Sequence, residues 1–127
     1  MPRPIRVLIV EDNQTFRETL QLLFDLRPEV QVVAGVATGD EAPRACPEHE
    51  PDVVLMDYRM PGMNGPEATR AVLEACPSAS VVCLTASVTK AEIDELVEAG
   101  VVRCLTKDEG FDEIVDAVRL AAGRAVA

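Results

Sequence analysis

Tryptophan is absent from this chain, and other aromatic residues are scarce: one tyrosine and three phenylalanines among 127 residues. The core must therefore be built from Val, Leu, Ile and Ala, which suits a tightly packed α/β domain. Positive charge is also in short supply. Twelve Lys and Arg stand against 22 Asp and Glu, a net charge of −10. Such a segment lacks the clustered cations that nucleic acid or an anionic membrane requires, while its acidity is compatible with a divalent cation. There is one histidine, His49. None of the four cysteines (Cys46, Cys76, Cys83, Cys104) makes a C-x-x-C pair or is spaced with His49 as a metal site. Cys83 and Cys104 lie in apolar runs, where cysteine acts as a small core hydrophobe, and the reading is a reduced, cytoplasmic protein. No apolar run approaches the ~18 residues of a spanning helix, and the reading includes no signal peptide.

What the chain does have is a regular alternation. Apolar runs at 5–10, 30–37, 52–57, 80–84 and 101–105 read as strands. Helical spacing follows each one. Asn13 is an N-cap for a helix whose inner face is Phe16, Leu20, Leu23 and Phe24, and Pro28 stops it. Thr38 to Glu41 matches a capping box, so a second helix is expected to start there, to be short or irregular at Pro43, and to end at Pro47. Pro66 suits a first helical position, followed by an inner face of Ala68, Ala71, Val72 and Ala75, with Pro77 at the end. Thr89 to Glu92 is a second capping box, with Ile93, Leu96 and Val97 expected inward and Gly100 closing the helix. Phe111, Ile114, Val115 and Val118 line the last one. Five strands alternating with five helices predict a single domain: a parallel sheet with helices on both faces.

The stretch 52–65, DVVLMDYRMPGMNG, organises the rest. Its apolar run is a strand buried on both faces, and Asp57 is the last strand residue, at the mouth of a Pro/Gly/Asn-rich loop. Burying that carboxylate unpaired costs several kcal/mol. Other strands end similarly: the first at Glu11 and Asp12, the fourth at Thr85, the fifth at Lys107. In open parallel α/β sheets the functional crevice lies beyond those carboxyl ends. Singly, each residue has an ordinary reading as a cap, a loop hydroxyl or a surface charge. Jointly they predict three carboxylates, a hydroxyl and an ammonium in one hollow. Three clustered carboxylates call for a cation, and oxygen ligands select a hard one such as Mg²⁺ (or Mn²⁺). With a lysine for phosphate oxygens and a spare carboxylate as nucleophile, the set describes phosphoryl transfer.

The segments VLIVEDN at 7–13, DVVLMDYRMPGMNG at 52–65, VVCLTA at 81–86 and LTKDEG at 105–110 resemble the receiver domain of two-component response regulators, over essentially the whole chain. The resemblance implies a flavodoxin-like (βα)5 fold with strand order 2-1-3-4-5. It implies Asp57 as the phospho-accepting residue. Glu11 and Asp12 would be the acidic pair holding Mg²⁺, Asp12 the more direct ligand, and the backbone carbonyl of Arg59 would complete the protein ligands. Thr85 is the implied switch hydroxyl, Ala86 the small residue leaving room for the phosphoryl group, and Lys107 the phosphate contact. Arg59 and Ser87 flank the site and would tune phosphoryl lifetime. The implied partners are a sensor histidine kinase or phosphotransfer protein, and a second copy of the chain. Where the family carries Tyr or Phe as a rotating partner of the threonine, this chain has Cys104. Asp108 after the lysine, and the Arg59–Met63 loop, are closer to the subfamily that precedes a LuxR-type helix-turn-helix. Residues 121–127 then read as the start of a linker to such an output domain. Two other readings stand beside this one. A haloacid-dehalogenase-type phosphatase needs an acid two residues after its nucleophile, where this chain has Arg59. A degenerate receiver, or a stand-alone one, would serve without an output domain.

Overall fold

The computed structural model describes residues 3–124. Five strands and five helices alternate: β1 (Ile5–Val10), α1 (Gln14–Asp25), β2 (Val30–Val36), α2 (Ala42–His49), β3 (Val53–Met56), α3 (Gly65–Ala75), β4 (Ser80–Thr85), α4 (Lys90–Ala99), β5 (Arg103–Thr106) and α5 (Phe111–Ala121). All strand pairs are parallel, in the order β2-β1-β3-β4-β5. The doubly wound sheet expected from the sequence is therefore present, with β2 and β5 at its edges.

Strand alternation divides the core into two layers. Ile5, Val7, Ile9, Val53, Leu55, Val82, Leu84 and Leu105 face one side and pack with Leu20 and Phe24 of α1 and Ile114, Val115 and Val118 of α5. Leu8, Val10, Val54, Met56, Val81 and Cys83 face the other and pack with Ala45 and Cys46 of α2, Ala68 and Val72 of α3 and Leu96 of α4. Each fully buried Val, Leu, Ile, Phe or Met among them contributes about 1.5–3 kcal/mol by leaving water. Phe24 and Phe111 meet edge to face at 5.0 Å, joining α1 to α5 with two of the few aromatic rings available.

Several boundaries differ from the sequence reading, each for a physical reason. The reciprocal Thr38–Glu41 bonds do form: Glu41 Oε2 accepts from the Thr38 N–H at 3.1 Å, and Thr38 Oγ1 accepts from the Glu41 N–H at 3.3 Å. They close a turn ahead of the helix, because Pro43 has no N–H to donate back to Gly39, and α2 starts at Ala42. Pro47 lies inside α2 rather than ending it. It forfeits one bond, while Glu50 N–H still reaches the Cys46 carbonyl at 2.9 Å and ends the helix in the left-handed region, φ 50°. The third helix starts on a capping box between Asn64 and Glu67 that the sequence reading passed over. Its buried face is Ala68, Thr69 and Val72, with Ala75 exposed. Val97 is 61% exposed, not inward, because α4 sits over edge strand β5 and only a narrow stripe, Leu96 and Ala99, is covered. The fifth strand begins at Arg103, not 101. Val101 is spent on capping α4: its N–H bonds Leu96 O at 3.0 Å, behind Gly100 at φ 116°. The linker expected over 121–127 falls partly on residues 125–127, outside the described residues. Among the described residues, no helix is long and apolar enough to cross a membrane.

Candidate functional site

The register of the sheet assembles the site. In β1 and β3, Val10 lies opposite Met56, so the next residues, Glu11 and Asp57, leave the sheet side by side. Asp57 is one residue past the end of β3 rather than its last residue, yet its N–H still bonds Val10 O at 3.0 Å. Thr85 pairs with Thr106 in β4 and β5, and the Lys107 N–H extends that ladder to Thr85 O at 2.8 Å. The two-residue alternation then sorts the side chains. Glu11, Asp57 and Lys107 continue the rows of Ile9, Leu55 and Leu105, on the α1/α5 side. Thr85 continues the row of Cys83, on the other.

Three carboxylates come together. One oxygen from each of Glu11, Asp12 and Asp57 lies within 4.8 Å of the others. Glu11 and Asp57 are buried, at 2% and 6% exposure, and Asp12 is exposed. Lys107 Nζ sits between the two buried acids, 2.7 Å from Glu11 Oε1 and 3.4 Å from Asp57 Oδ2. Asp57 Oδ1 accepts from the Tyr58 N–H at 2.8 Å. Burial raises the Glu11 carboxyl above the usual carboxylate range, with the Asp57 charge acting the same way, against Lys107 and the Asn13 N–H. Burial also works against the Lys107 charge, but the bond to Glu11 and the field of Asp57 outweigh it, and the ammonium is held above its ordinary value.

The donor set suits a small hard cation. Oxygens bound to Mg²⁺ at about 2.1 Å lie about 3 Å apart when adjacent and about 4.2 Å when opposite. A trio already within 4.8 Å requires only a slight contraction. The ligands are oxygen only, and a lysine now supplies the neutralising charge.

The remaining expected residues are arranged less tightly. The Thr85 side chain is buried and its hydroxyl donates to the Ser87 carbonyl at 3.4 Å, a long bond, rather than to the carboxylates. Ala86 and Ser87 are exposed beside it. The Arg59 side chain turns away, to Glu92 at 3.0 Å and over the Tyr58 ring at 5.2 Å. Cys104 is half-buried, directly opposite Cys83 in the ladder. Gly65 lets the loop after Asp57 close on α3. Its N–H bonds Tyr58 O at 2.7 Å, and a β-carbon there would stand 2.9 Å from the Tyr58 Cα.

Some participants were not legible in the sequence. Arg17 donates to the Glu11 carbonyl at 2.6 Å, and Lys107 Nζ lies 4.5 Å from the centre of the Phe16 ring. The Tyr58 hydroxyl donates to Glu95 Oε1 at 2.7 Å, and that bond, with burial, pushes the phenol up to about 12. No sequence signal marks these pairs. Their one hint is the position of Phe16 and Arg17 in the first turns after Glu11 and Asp12.

Comparison with known proteins agrees with this architecture. The family model of the response regulator receiver domain matches residues 7–119. Transcriptional regulatory protein LnrK of Bacillus subtilis is 42% identical over 114 residues, 90% of this chain and 52% of its own length. The chain spans about half the length of the curated relatives it matches. Among solved structures, the signal receiver domain of the putative response regulator NarL from Mycobacterium tuberculosis superposes with a TM-score of 0.90 at 34% identity, covering 96% of this chain and 98% of that one. A LuxR-family two-component response regulator from Aurantimonas sp. SI85-9A1 superposes with a TM-score of 0.87, also at 34% identity, over 95% and 87% of the two chains.

Proposed function

The chain belongs to the response regulator receiver domain family, and from that premise we propose that Asp57 is its phospho-accepting residue. The observation that carries this reading is a buried carboxylate at the rim of the sheet, flanked by two further acids and a lysine. Asp57 attacks the phosphorus of a phosphohistidine on a sensor kinase or phosphotransfer protein. An aspartyl O–P bond forms, the N–P bond breaks, and the imidazole nitrogen keeps the electron pair. Lys107, already within reach of Asp57 Oδ2, neutralises charge on the transferring group. Asp12, Asp57 and the backbone carbonyl of Arg59 would hold Mg²⁺ or Mn²⁺, with Glu11 beside them. The bound ion would draw charge from the phosphoryl oxygens.

Thr85 is the switch. Its present bond to Ser87 is long, so little is lost when the hydroxyl turns to a phosphoryl oxygen. A hydrogen bond to such a charged group is worth roughly 1.5–3 kcal/mol, about a ten- to hundredfold shift between two states. Ala86 leaves room for the group, and Arg59 and Ser87 flank it and tune its lifetime. The chain works in the cytoplasm and catalyses only its own phosphorylation and dephosphorylation. In the whole protein it controls an output, transcription through a LuxR-type DNA-binding domain following residues 121–127, with a homodimer as one active form.

Intact mass after incubation with Mg²⁺ and acetyl phosphate tests the reading. One added phosphoryl group is expected, absent in Asp57→Asn and suppressed by a chelator. An unmodified wild-type chain refutes it, and steady turnover of a phosphomonoester would instead indicate an aspartyl-nucleophile phosphatase.

A further inference from the structure

Cys83 and Cys104 are free thiols facing each other across β4 and β5. Parallel neighbours lie about 4.8 Å apart, inside the range of Cα separations that disulfides span, roughly 4.4–6.8 Å. The thiols differ in kind. Cys83 is fully buried and Cys104 is half-buried. The neighbouring Cys104 sulfur and burial push the Cys83 thiol up, and the neighbouring Cys83 brings the Cys104 thiol below its ordinary value. A half-buried cysteine directly opposite a fully buried one in the strand ladder is the arrangement of an attacking and a resolving thiol.

We propose that Cys83 and Cys104 form an oxidisable dithiol that hydrogen peroxide closes to a disulfide, locking β4 to β5 beneath the phosphorylation site. The Cys104 thiolate attacks the peroxide. The O–O bond breaks, Cys104 becomes a sulfenic acid, and the leaving hydroxide takes a proton to become water. The Cys83 sulfur then attacks the Cys104 sulfur. The S–S bond forms, the Cys83 proton and the sulfenic hydroxyl leave as a second water, and the two thiols have given two electrons to the peroxide.

The bond would act on the switch because of where it lies. The ladder runs from Cys83–Cys104 through Leu84–Leu105 to Thr85–Thr106, and the Lys107 N–H holds the Thr85 carbonyl beyond it. Tying β5 to β4 at Cys104 would restrict the movement of Lys107, three residues on, relative to Glu11 and Asp57. This consequence rests on the proposed function; the bond itself does not.

Cys46 and Cys76 also lie together, so the test is made in a Cys46→Ala, Cys76→Ala background, with circular dichroism to check the fold. After hydrogen peroxide treatment, intact mass should fall by two hydrogens per chain and recover with a dithiol reductant. Tryptic fragments 71–90 and 104–107 should be joined. Cys83→Ala and Cys104→Ala should each abolish the joined fragment, and the wild-type chain should yield it too. The oxidised chain should accept phosphoryl from acetyl phosphate several-fold more slowly than the reduced one. Unchanged mass, oxygen added to Cys104 with Cys83 still free, or disulfides only between chains would each overturn the dithiol. Equal phosphorylation rates would overturn the lock. A reduced chain that takes no phosphoryl group at all would count against the proposed function, while mass and mapping would still decide the disulfide.

Discussion

Replacing Lys107 with Met tests the electrostatics of the site most directly. The side chain length is kept and only the charge is removed. Lys107 is mostly buried, with its side chain 20% exposed, and it pairs with the buried Glu11 at 2.7 Å. Removing one partner of a buried pair costs about 3–5 kcal/mol when the other must stay charged. Glu11 can escape part of that cost by taking a proton, since burial already raises its carboxyl. A carboxyl raised in the folded state makes the native chain bind more protons than the unfolded one. Stability therefore falls as pH rises from the unfolded carboxyl value through the folded one. Lys107 now limits that loss, and its own contribution is present below the unfolded lysine value and lost as pH climbs through its raised folded value. Lys107→Met should thus move the Glu11 carboxyl further up and extend the loss toward neutrality. We expect a deficit of about 2–4 kcal/mol at pH 8 that shrinks at pH 5.5. Urea titrations at the two pH values, without divalent ions, measure it. With a slope of about 1.5 kcal/mol per molar, the midpoint at pH 8 should fall by about 1.3–2.7 M. Mg²⁺ stabilises either chain by roughly 2.7 kcal/mol at about a hundredfold above its dissociation constant, and because the variant has no ammonium competing for Glu11 and Asp57 it should bind the ion more tightly, so that one fixed Mg²⁺ concentration narrows the deficit. A deficit equal at both pH values, and untouched by Mg²⁺, would refute the reasoning.

Two further substitutions test packing. Among the described residues, Thr69 Oγ1 is the buried side-chain oxygen without a hydrogen-bond partner. Thr69→Val keeps the shape and removes a hydroxyl whose unpaired burial costs about 1–3 kcal/mol. The melting temperature should rise, and a fall would mean that the hydroxyl has a partner in solution. Gly65→Ala places a β-carbon 2.9 Å from the backbone of Tyr58, where no side-chain rotation can relieve it. A loss of about 1–3 kcal/mol in urea unfolding and slower phosphorylation are expected, and wild-type values in both would show that the loop is not clamped to α3.

The element pattern was legible in the sequence because it depends on local periodicity. Val53–Met56 could only be a strand buried on both faces, and Phe16, Leu20 and Phe24 recur as one face of a helix. Where the reading failed, non-local contact or backbone chemistry intervened. Val97 has suitable spacing but nothing to cover it, Val101 is taken by the cap of α4, and Pro47 removes a single bond without breaking α2. The gathering of Glu11, Asp12, Asp57 and Lys107 was foreseen from strand ends alone, since parallel strands place all their carboxyl ends on one rim. Which side chains actually meet there depended on tertiary structure. Register and alternation set Glu11, Asp57 and Lys107 on one side of the sheet and Thr85 with Cys83 on the other. The Tyr58–Glu95 bond and the Cys83–Cys104 pair likewise needed the packed sheet. Periodicity along a chain encodes which face a residue shows, but not which distant residue stands opposite it.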